Sequence, residues 1–528
     1  MGDVVSDGRF EVFFVDPEAS SPAAIDPIPG GWPAHASVDP SLPFQTRLSP
    51  DGRFASFIAD IAIDGEPALY VVDTSSPAGA AVKVSDIGTG GRVVEYEWSP
   101  DSSAVAFFGD DGSGGRSVWI ADLSAGLATA TVSEVGTGLT SIKIRSTRWP
   151  RWSRDSTKYL FRAREGASGP LEGYLFDRAN PGLGQQRIHP ALAPGAIAGV
   201  EDLLVVADTA VLIGDLDDDL GVDIYAIELS GSFPGTAHRL TTANATFDNG
   251  VSTQRLFYGL SPSGNELIFP WLGATSVTPA RPYLVDLSGG ATGAAGSALA
   301  FTLGGDPTQR VVDYEWSPDE LSVAIGVPQT SGNDMVLIYY RSALGMSFGS
   351  WSQRTALRTP PLVIEEFGWS PDGAWVLMLD DRDSPGVLQL TGRGYLAGDF
   401  ESRDVLNAPL VTGGEVEGLG RFASSTQLVY VADAEVDGVN EVYAVDPNTP
   451  GAVTKISPAV TASPPDVGFS DSRLRVLPSG DVVAAGDWRI AGVVEPVLLD
   501  PSGGSATPLL PPLSSGLGIR WIPMPDLP

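Results

Sequence analysis

Gly368-Trp369-Ser370-Pro371-Asp372-Gly373 reads first as a tight turn. Pro pre-sets φ at the second turn position, Asp can bond its own backbone, and Gly accepts positive φ at the exit. An aromatic residue precedes the turn. The run that follows, Ala374-Trp375-Val376-Leu377-Met378-Leu379, reads as a strand. The local unit is therefore strand, turn, strand.

That unit recurs along the chain. Leu48-Ser49-Pro50-Asp51-Gly52, Trp98-Ser99-Pro100-Asp101, Trp152-Ser153-Arg154-Asp155, Leu260-Ser261-Pro262-Ser263-Gly264 and Trp316-Ser317-Pro318-Asp319 each lead into an apolar run. Weaker copies lie at Ala207-Asp208-Thr209-Ala210, Phe422-Ala423-Ser424-Ser425 and Leu477-Pro478-Ser479-Gly480. The spacing is roughly 50–56 residues, the signature of a repeat architecture. About 20–25 residues after each turn comes an aromatic or apolar strand closing on an acid, as in Leu69-Tyr70-Val71-Val72-Asp73, Val118-Trp119-Ile120-Ala121-Asp122 and Val442-Tyr443-Ala444-Val445-Asp446. A short fourth strand completes an antiparallel propeller blade.

Taken together, Trp-Ser-Pro-Asp-Gly, the loop Asp433 to Glu441 and Val442-Tyr443-Ala444-Val445-Asp446 resemble the TolB-type, WD-like β-propeller repeat. The resemblance covers nearly the whole chain. It implies an all-β fold, a single large β-propeller of four-stranded blades, and a protein that works outside the cytoplasm. It implies no particular activity, since one fold serves many functions.

Nine intact units are expected near 46–92, 93–141, 142–195, 196–250, 251–309, 310–362, 363–415, 416–466 and 467–511. A split closing blade from 1–45 and 512–528 makes ten. In it, a strand through Phe10 to Val15 would lie beside an inner strand holding Trp521. An alternative is eight blades plus terminal elements, because Arg92-Val93-Val94-Glu95-Tyr96-Glu97-Trp98 nearly repeats as Arg310-Val311-Val312-Asp313-Tyr314-Glu315-Trp316 four units later. The repeated Trp98, Trp152, Trp316, Trp369 and Trp521 are expected to pack between blades.

A formal net charge of −33 argues against nucleic acid and anionic membranes as partners and fits an acidic, soluble surface or cation binding. No cysteine is present, so thiol chemistry, disulfides and Cys-based metal sites are excluded. No apolar run approaches the ~20 residues of a membrane helix. The start is acidic from Asp3 onward, and the expectation is a mature chain whose secretory leader is not part of this sequence.

Two acidic loops are candidate Ca²⁺ sites. In the first, Asp433, Glu435, Asp437 and Glu441 occupy alternate positions around Gly438. In the second, four units earlier, the candidates are Asp215, Asp217, Asp219 and Asp223. A hard cation needs several oxygens converging from a tight loop, and glycine lets the backbone turn. The alternative is an ordinary acidic hairpin loop. Residues 143–164 form the one basic region, in which Arg145, Arg148, Arg151 and Arg154 are candidates for docking an acidic partner. The competing reading is compensation of acidic neighbours. His35, His189 and His238 lie far apart, and no α/β segment follows the repeats, which counts against a hydrolase triad.

The expected function is a non-enzymatic binding or scaffolding propeller outside the cytoplasm, with a protein or cell-surface partner. A propeller enzyme, such as a polysaccharide lyase or hydrolase with a carboxylate or metal site, is the second reading. A self-assembling surface or filament subunit is the third.

Overall fold

A computed structural model describes residues 2–3, 12–13, 15, 25–28, 31–33, 36, 46–76, 79–113, 115–143, 151–166, 169–192, 199–206, 208–216, 223–240, 259–271, 281–293, 295–298, 313–327, 335–340, 363–381, 383–394, 404–460, 467–510 and 518–519. The turns behave as their residues dictate. Gly373 N–H donates to Ser370 O, Ser370 N–H donates to Trp375 O, and Gly373 has φ 68°. The Ser370 hydroxyl donates to Asp372 Oδ1 at 2.6 Å and accepts the Trp375 N–H at 2.9 Å. Asp372 also accepts the Ala374 N–H at 3.0 Å.

The same Ser–Asp bond closes the turns at Ser49, Ser99, Ser153 and Ser317. In three turns a residue other than glycine takes the left-handed position: Ser102 (φ 60°), Ser156 (φ 59°) and Glu320 (φ 58°). An L-residue there is strained. Ser102 and Ser156 offset the strain by accepting, at 3.0 Å, the N–H of Asp51 and Asp101 in the preceding turn.

Each turn opens an antiparallel meander whose strands pair in sequence order. In one of them, Arg92–Trp98, Ala104–Asp110, Arg116–Asp122 and Thr131–Glu134 pair through Trp98↔Val105, Phe107↔Trp119 and Ile120↔Ser133. The chain divides into two compact units. The unit spanning 26–300 holds meanders at 46–83, 92–134, 140–187, 200–239 and 259–298. The unit spanning 301–526, with residues 1–25, holds those at 313–340, 364–405, 421–455 and 475–508. The meander at 313–340 has three strands among the described residues. The one at 421–455 carries an extra parallel strand at Val467–Gly468.

The second and third strands are buried almost throughout, as in Phe54–Ala59, because both faces of a sheet pack against neighbours. Phe54, Leu69 and Val71 pack against Trp98, Val105 and Phe107 of the next sheet. Trp152 packs in the same way against Ala104, Ala106 and Phe108. Trp98 Nε1 donates to Ser56 Oγ at 2.8 Å, and Trp369 Nε1 donates to Glu315 O at 3.1 Å. Trp98, Trp152 and Trp369 thus do the intersheet work expected of them; Trp316 is buried, and Trp521 lies outside the described residues.

The chain ends differ from expectation. Gly2–Asp3 pairs antiparallel with Gly518–Ile519. Val12, Phe13 and Val15, expected in the closing strand, carry no strand here; Phe10, Glu11, Phe14 and Trp521 lie outside the described residues. An apolar run marks what a strand would bury, but it does not supply a partner for the backbone.

Candidate functional site: loop carboxylates and first-strand charges

The loop from Asp433 to Glu441 begins with a buried carboxylate. Asp433 Oδ1 accepts the Glu415 N–H at 2.5 Å, and Oδ2 accepts the Gly438 N–H at 2.9 Å. Asp381 does the same with Val363 and Gly386, and Asp487 with Gly468 and Gly492. Gly386, Gly438 and Gly492 have φ 77°, 74° and 75°. An acid at the first loop position and glycine at the sixth are therefore a backbone clamp that recurs in three consecutive meanders.

The other carboxylates of this loop diverge. Glu435 and Glu441 both meet the Lys455 ammonium, at 3.0 and 2.5 Å. Partial burial works against that charge, but hydrogen bonds to Glu441 and Glu435 outweigh it and hold Lys455 above its ordinary range. Asp437 is exposed and lies against Gly413. The cation between Glu435 and Glu441 is a lysine of the protein itself.

In the second acidic loop, Asp215 is buried and donates its N–H to Gly199 O at 3.2 Å, as Asp433 does to Glu415 O. Asp223 is fully buried and pairs with Arg239 at 2.5 Å. Asp217 and Asp219 lie outside the described residues. Among the described residues, no three His, Cys, Asp or Glu side chains converge as metal ligands do.

These pairs reveal an arrangement that the motif reading missed. An acid stands at or near the start of the third strand, a tyrosine follows two residues later, and a base stands opposite that tyrosine on the fourth strand. The sets are Glu172, Tyr174 and Arg187; Asp223, Tyr225 and Arg239; and Glu441, Tyr443 and Lys455. Glu172 meets Arg187 at 3.2 Å, and the Tyr174 and Tyr443 hydroxyls donate to Glu172 and Glu441 at 3.1 Å. The sequence signal was acid-x-Tyr with a base one short loop later.

The described part of the basic region divides between interior and surface. Arg151 and Arg162 are buried; Arg154 is exposed on its turn; Arg145 and Arg148 lie outside the described residues. Arg151 is thus corrected from a docking residue to an internal one. Its N–H donates to Glu97 Oε1 at 3.2 Å across two sheets.

Arg47, Glu97 and Arg151 each stand just before the residue that precedes a Ser turn in three consecutive meanders, Arg47 and Glu97 on first strands and Arg151 beside the isolated bridge Trp152↔Tyr159. Burial pushes the Glu97 carboxyl up to about 7, against the opposing pull of Arg151, its N–H and Arg47; Glu95 adds repulsion. Arg47 also stands 5.4 Å from the Tyr96 ring centroid.

In the other unit the first strands and their entry segments carry mostly acids. Glu417 accepts hydrogen bonds from the Ser470 hydroxyl (2.7 Å), Asn440 Nδ2 (3.2 Å) and the Asp471 N–H (3.3 Å). Asp471 meets Arg421 at 3.5 Å. Burial raises Asp471; Arg421 opposes this and Glu366 adds to it. Burial also raises Glu417. A Cβ at Gly418 would lie 2.7 Å from Asp471 Oδ2, so only glycine leaves that carboxylate its place.

His189 is buried, with Nε2 accepting the Gly173 N–H at 3.1 Å and Nδ1 2.7 Å from Pro190 O; burial lowers its pKa and keeps it neutral. Gly345-Met346-Ser347-Phe348-Gly349 matches the Gly-x-Ser-x-Gly pattern, which reading the repeats alone passes over; it lies outside the described residues.

No protein-family model matches the sequence. No curated protein matches it either. Solved structures similar to it are propeller proteins. The β-propeller domain of the Trilobed protease from Pyrococcus furiosus aligns at 14% identity over 70% of this chain and 97% of that one, with TM-score 0.32. Porphyromonas gingivalis dipeptidyl peptidase 4 aligns at 11% identity over 88% of this chain and 59% of that one, with TM-score 0.45. A putative TolB from Agrobacterium tumefaciens aligns at 17% identity over 48% and 79%, with TM-score 0.27.

Proposed function

We propose that this chain is a non-enzymatic β-propeller scaffold that binds a protein or cell-surface partner outside the cytoplasm. The observation that carries the reading is where the charged side chains go. Asp433 clamps a loop, Glu441 and Asp223 pair with bases on the next strand, and Arg151 is buried against Glu97. The residues that looked most like chemistry are spent on holding a framework, which leaves its exposed loops for contact. The acidic composition supports an extracytoplasmic, soluble setting.

The test is cross-linked capture from the native envelope fraction, followed by titration of the purified partner against the full chain. Saturable 1:1 binding supports the scaffold. A second reading, the propeller enzyme, draws on Glu97, a carboxyl held to about 7 beside Glu95. Turnover of a polysaccharide or peptide panel, lost in Glu97→Gln without loss of fold, would replace the first reading with the second.

A further inference from the structure

We propose that the edge bearing the second-to-third-strand loops of the 301–526 unit docks a partner segment in which apolar residues alternate with Lys or Arg. The proposal rests on the binding role above and names its surface and partner chemistry. Among the described residues the exposed large apolar side chains are Ile63, Val94, Leu183, Val363, Val405, Val436 and Ile490. They are not scattered at random. Val436 and Ile490 each stand three residues after the clamping aspartate of their loop, Asp433 and Asp487. Val363 donates its N–H to the third clamp, Asp381. Ile63 stands at the same position after Asp60 in a loop of the other unit, closed by the Gly65 N–H.

A clamped loop needs no apolar residue at its tip to hold its shape. Yet Val436 is 57% exposed, Val363 42% and Ile490 37%. Because the clamps fix these tips in advance, docking costs little loop ordering. The chemistry of the partner follows from the rim. Glu365, Asp383, Glu415 and Asp437 are exposed on the same segments, and Lys455 and Arg489 are already paired with Glu441 and Glu495. Burial together with repulsion from Asp433 and Glu365 raises the Glu415 carboxyl. Guanidinium or ammonium groups from a partner relieve that crowding, and its apolar residues cover the three tips.

The test uses the full chain and three labelled twelve-residue peptides, alternating Leu/Lys, Ser/Lys and Leu/Glu, read by fluorescence anisotropy. The Leu/Lys peptide should bind at least ten-fold more tightly than either control. Val436→Ser with Ile490→Ser should weaken it ten-fold or more, and Asp437→Lys several-fold, with unchanged melting temperature. Leu183→Ser, an exposed apolar residue elsewhere, should leave binding intact. Equal binding of Ser/Lys, no binding, or full binding by the double variant overturns the proposal. A concentration-dependent dimer that dissociates in the double variant overturns it in favour of a second copy of the chain. If the double variant still saturates with the captured partner, the scaffold role stands and this surface is not its site.

Discussion

The two units place different charges on and around the first strands of their meanders. In the 26–300 unit, Arg47, Glu97 and Arg151 alternate in sign, and Glu97 links its sheet to the next through the Arg151 N–H. In the 301–526 unit, Asp471 is repelled by both Glu366 and Glu417, relieved by Arg421 and by hydroxyl and amide donors. A tryptophan that bonds to the neighbouring sheet and a turn closed by a Ser-x-Asp bond are common to both. The fold therefore constrains the turn and the intersheet aromatic but leaves the charge beside them free to vary. A balanced belt is a structural element, whereas an acidic one retains free energy that a cationic partner can recover.

The sharpest way to break this comparison is Arg151→Met. A buried guanidinium removed from beside a carboxylate should cost roughly 3 kcal/mol at pH 8 by chemical denaturation. The loss should shrink at pH 6, where Glu97 is largely protonated. Arg154→Met, on the exposed turn, should cost nothing measurable. Equal, negligible effects would return Arg151 to the surface role that its sequence suggests.

Next come the loops. Asp433→Ala and Asp487→Ala each strand two backbone N–H groups and should cost about 1–3 kcal/mol, whereas Asp437→Ala should cost little. Millimolar Ca²⁺ should barely move the melting temperature of the wild type, because Lys455 already bridges Glu435 and Glu441. Lys455→Met should make it Ca²⁺-responsive by linkage. A wild-type rise with Ca²⁺ that disappears in Asp437→Ala would establish the metal reading of this loop.

Glu97→Gln tests the belt from the other side. Its folded carboxyl is raised, so the folded state holds a proton that the unfolded state releases between about pH 4.5 and 7. Stability therefore falls as pH rises through that window. Glu97→Gln should be more stable than the wild type at pH 8, by on the order of 1–2 kcal/mol, and equal to it near pH 4. Glu417→Gln should shift in the same direction but less, since Ser470 and the Asp471 N–H already favour its charged form. Identical pH profiles for both variants and the wild type would remove the electrostatic distinction.

The smallest expected effect concerns the intersheet tryptophans. Trp98 Nε1 has Ser56 Oγ, but Trp152 Nε1 is buried with no hydrogen-bond partner. Ala106 holds the register position that Ser56 holds one sheet earlier, opposite Glu97 as Ser56 is opposite Arg47. Ala106→Ser should stabilise the protein by about 1 kcal/mol, read as a higher denaturation midpoint. No gain would mean that the two tryptophans sit differently in their sheets.

What the chain determines by itself is local. Ser-Pro-Asp-Gly closes the same turn wherever it occurs because φ preferences, a serine hydroxyl and an aspartate act within six residues. The apolar runs that follow become strands, and Trp98, Trp152 and Trp369 pack against the neighbouring sheet because their spacing is that of the repeat. The roles of the charges were decided by tertiary structure. Asp433 in sequence is the first ligand of an acidic loop; in space it faces two backbone N–H groups, one of them from a segment 18 residues away. Arg151 in sequence belongs to a basic run, but the sheet packed over it turns it inward towards Glu97, 54 residues earlier. Strand periodicity reports which way a side chain leaves its own sheet. Whether it meets water or a neighbour depends on the next sheet, and that information exists only once the sheets have packed.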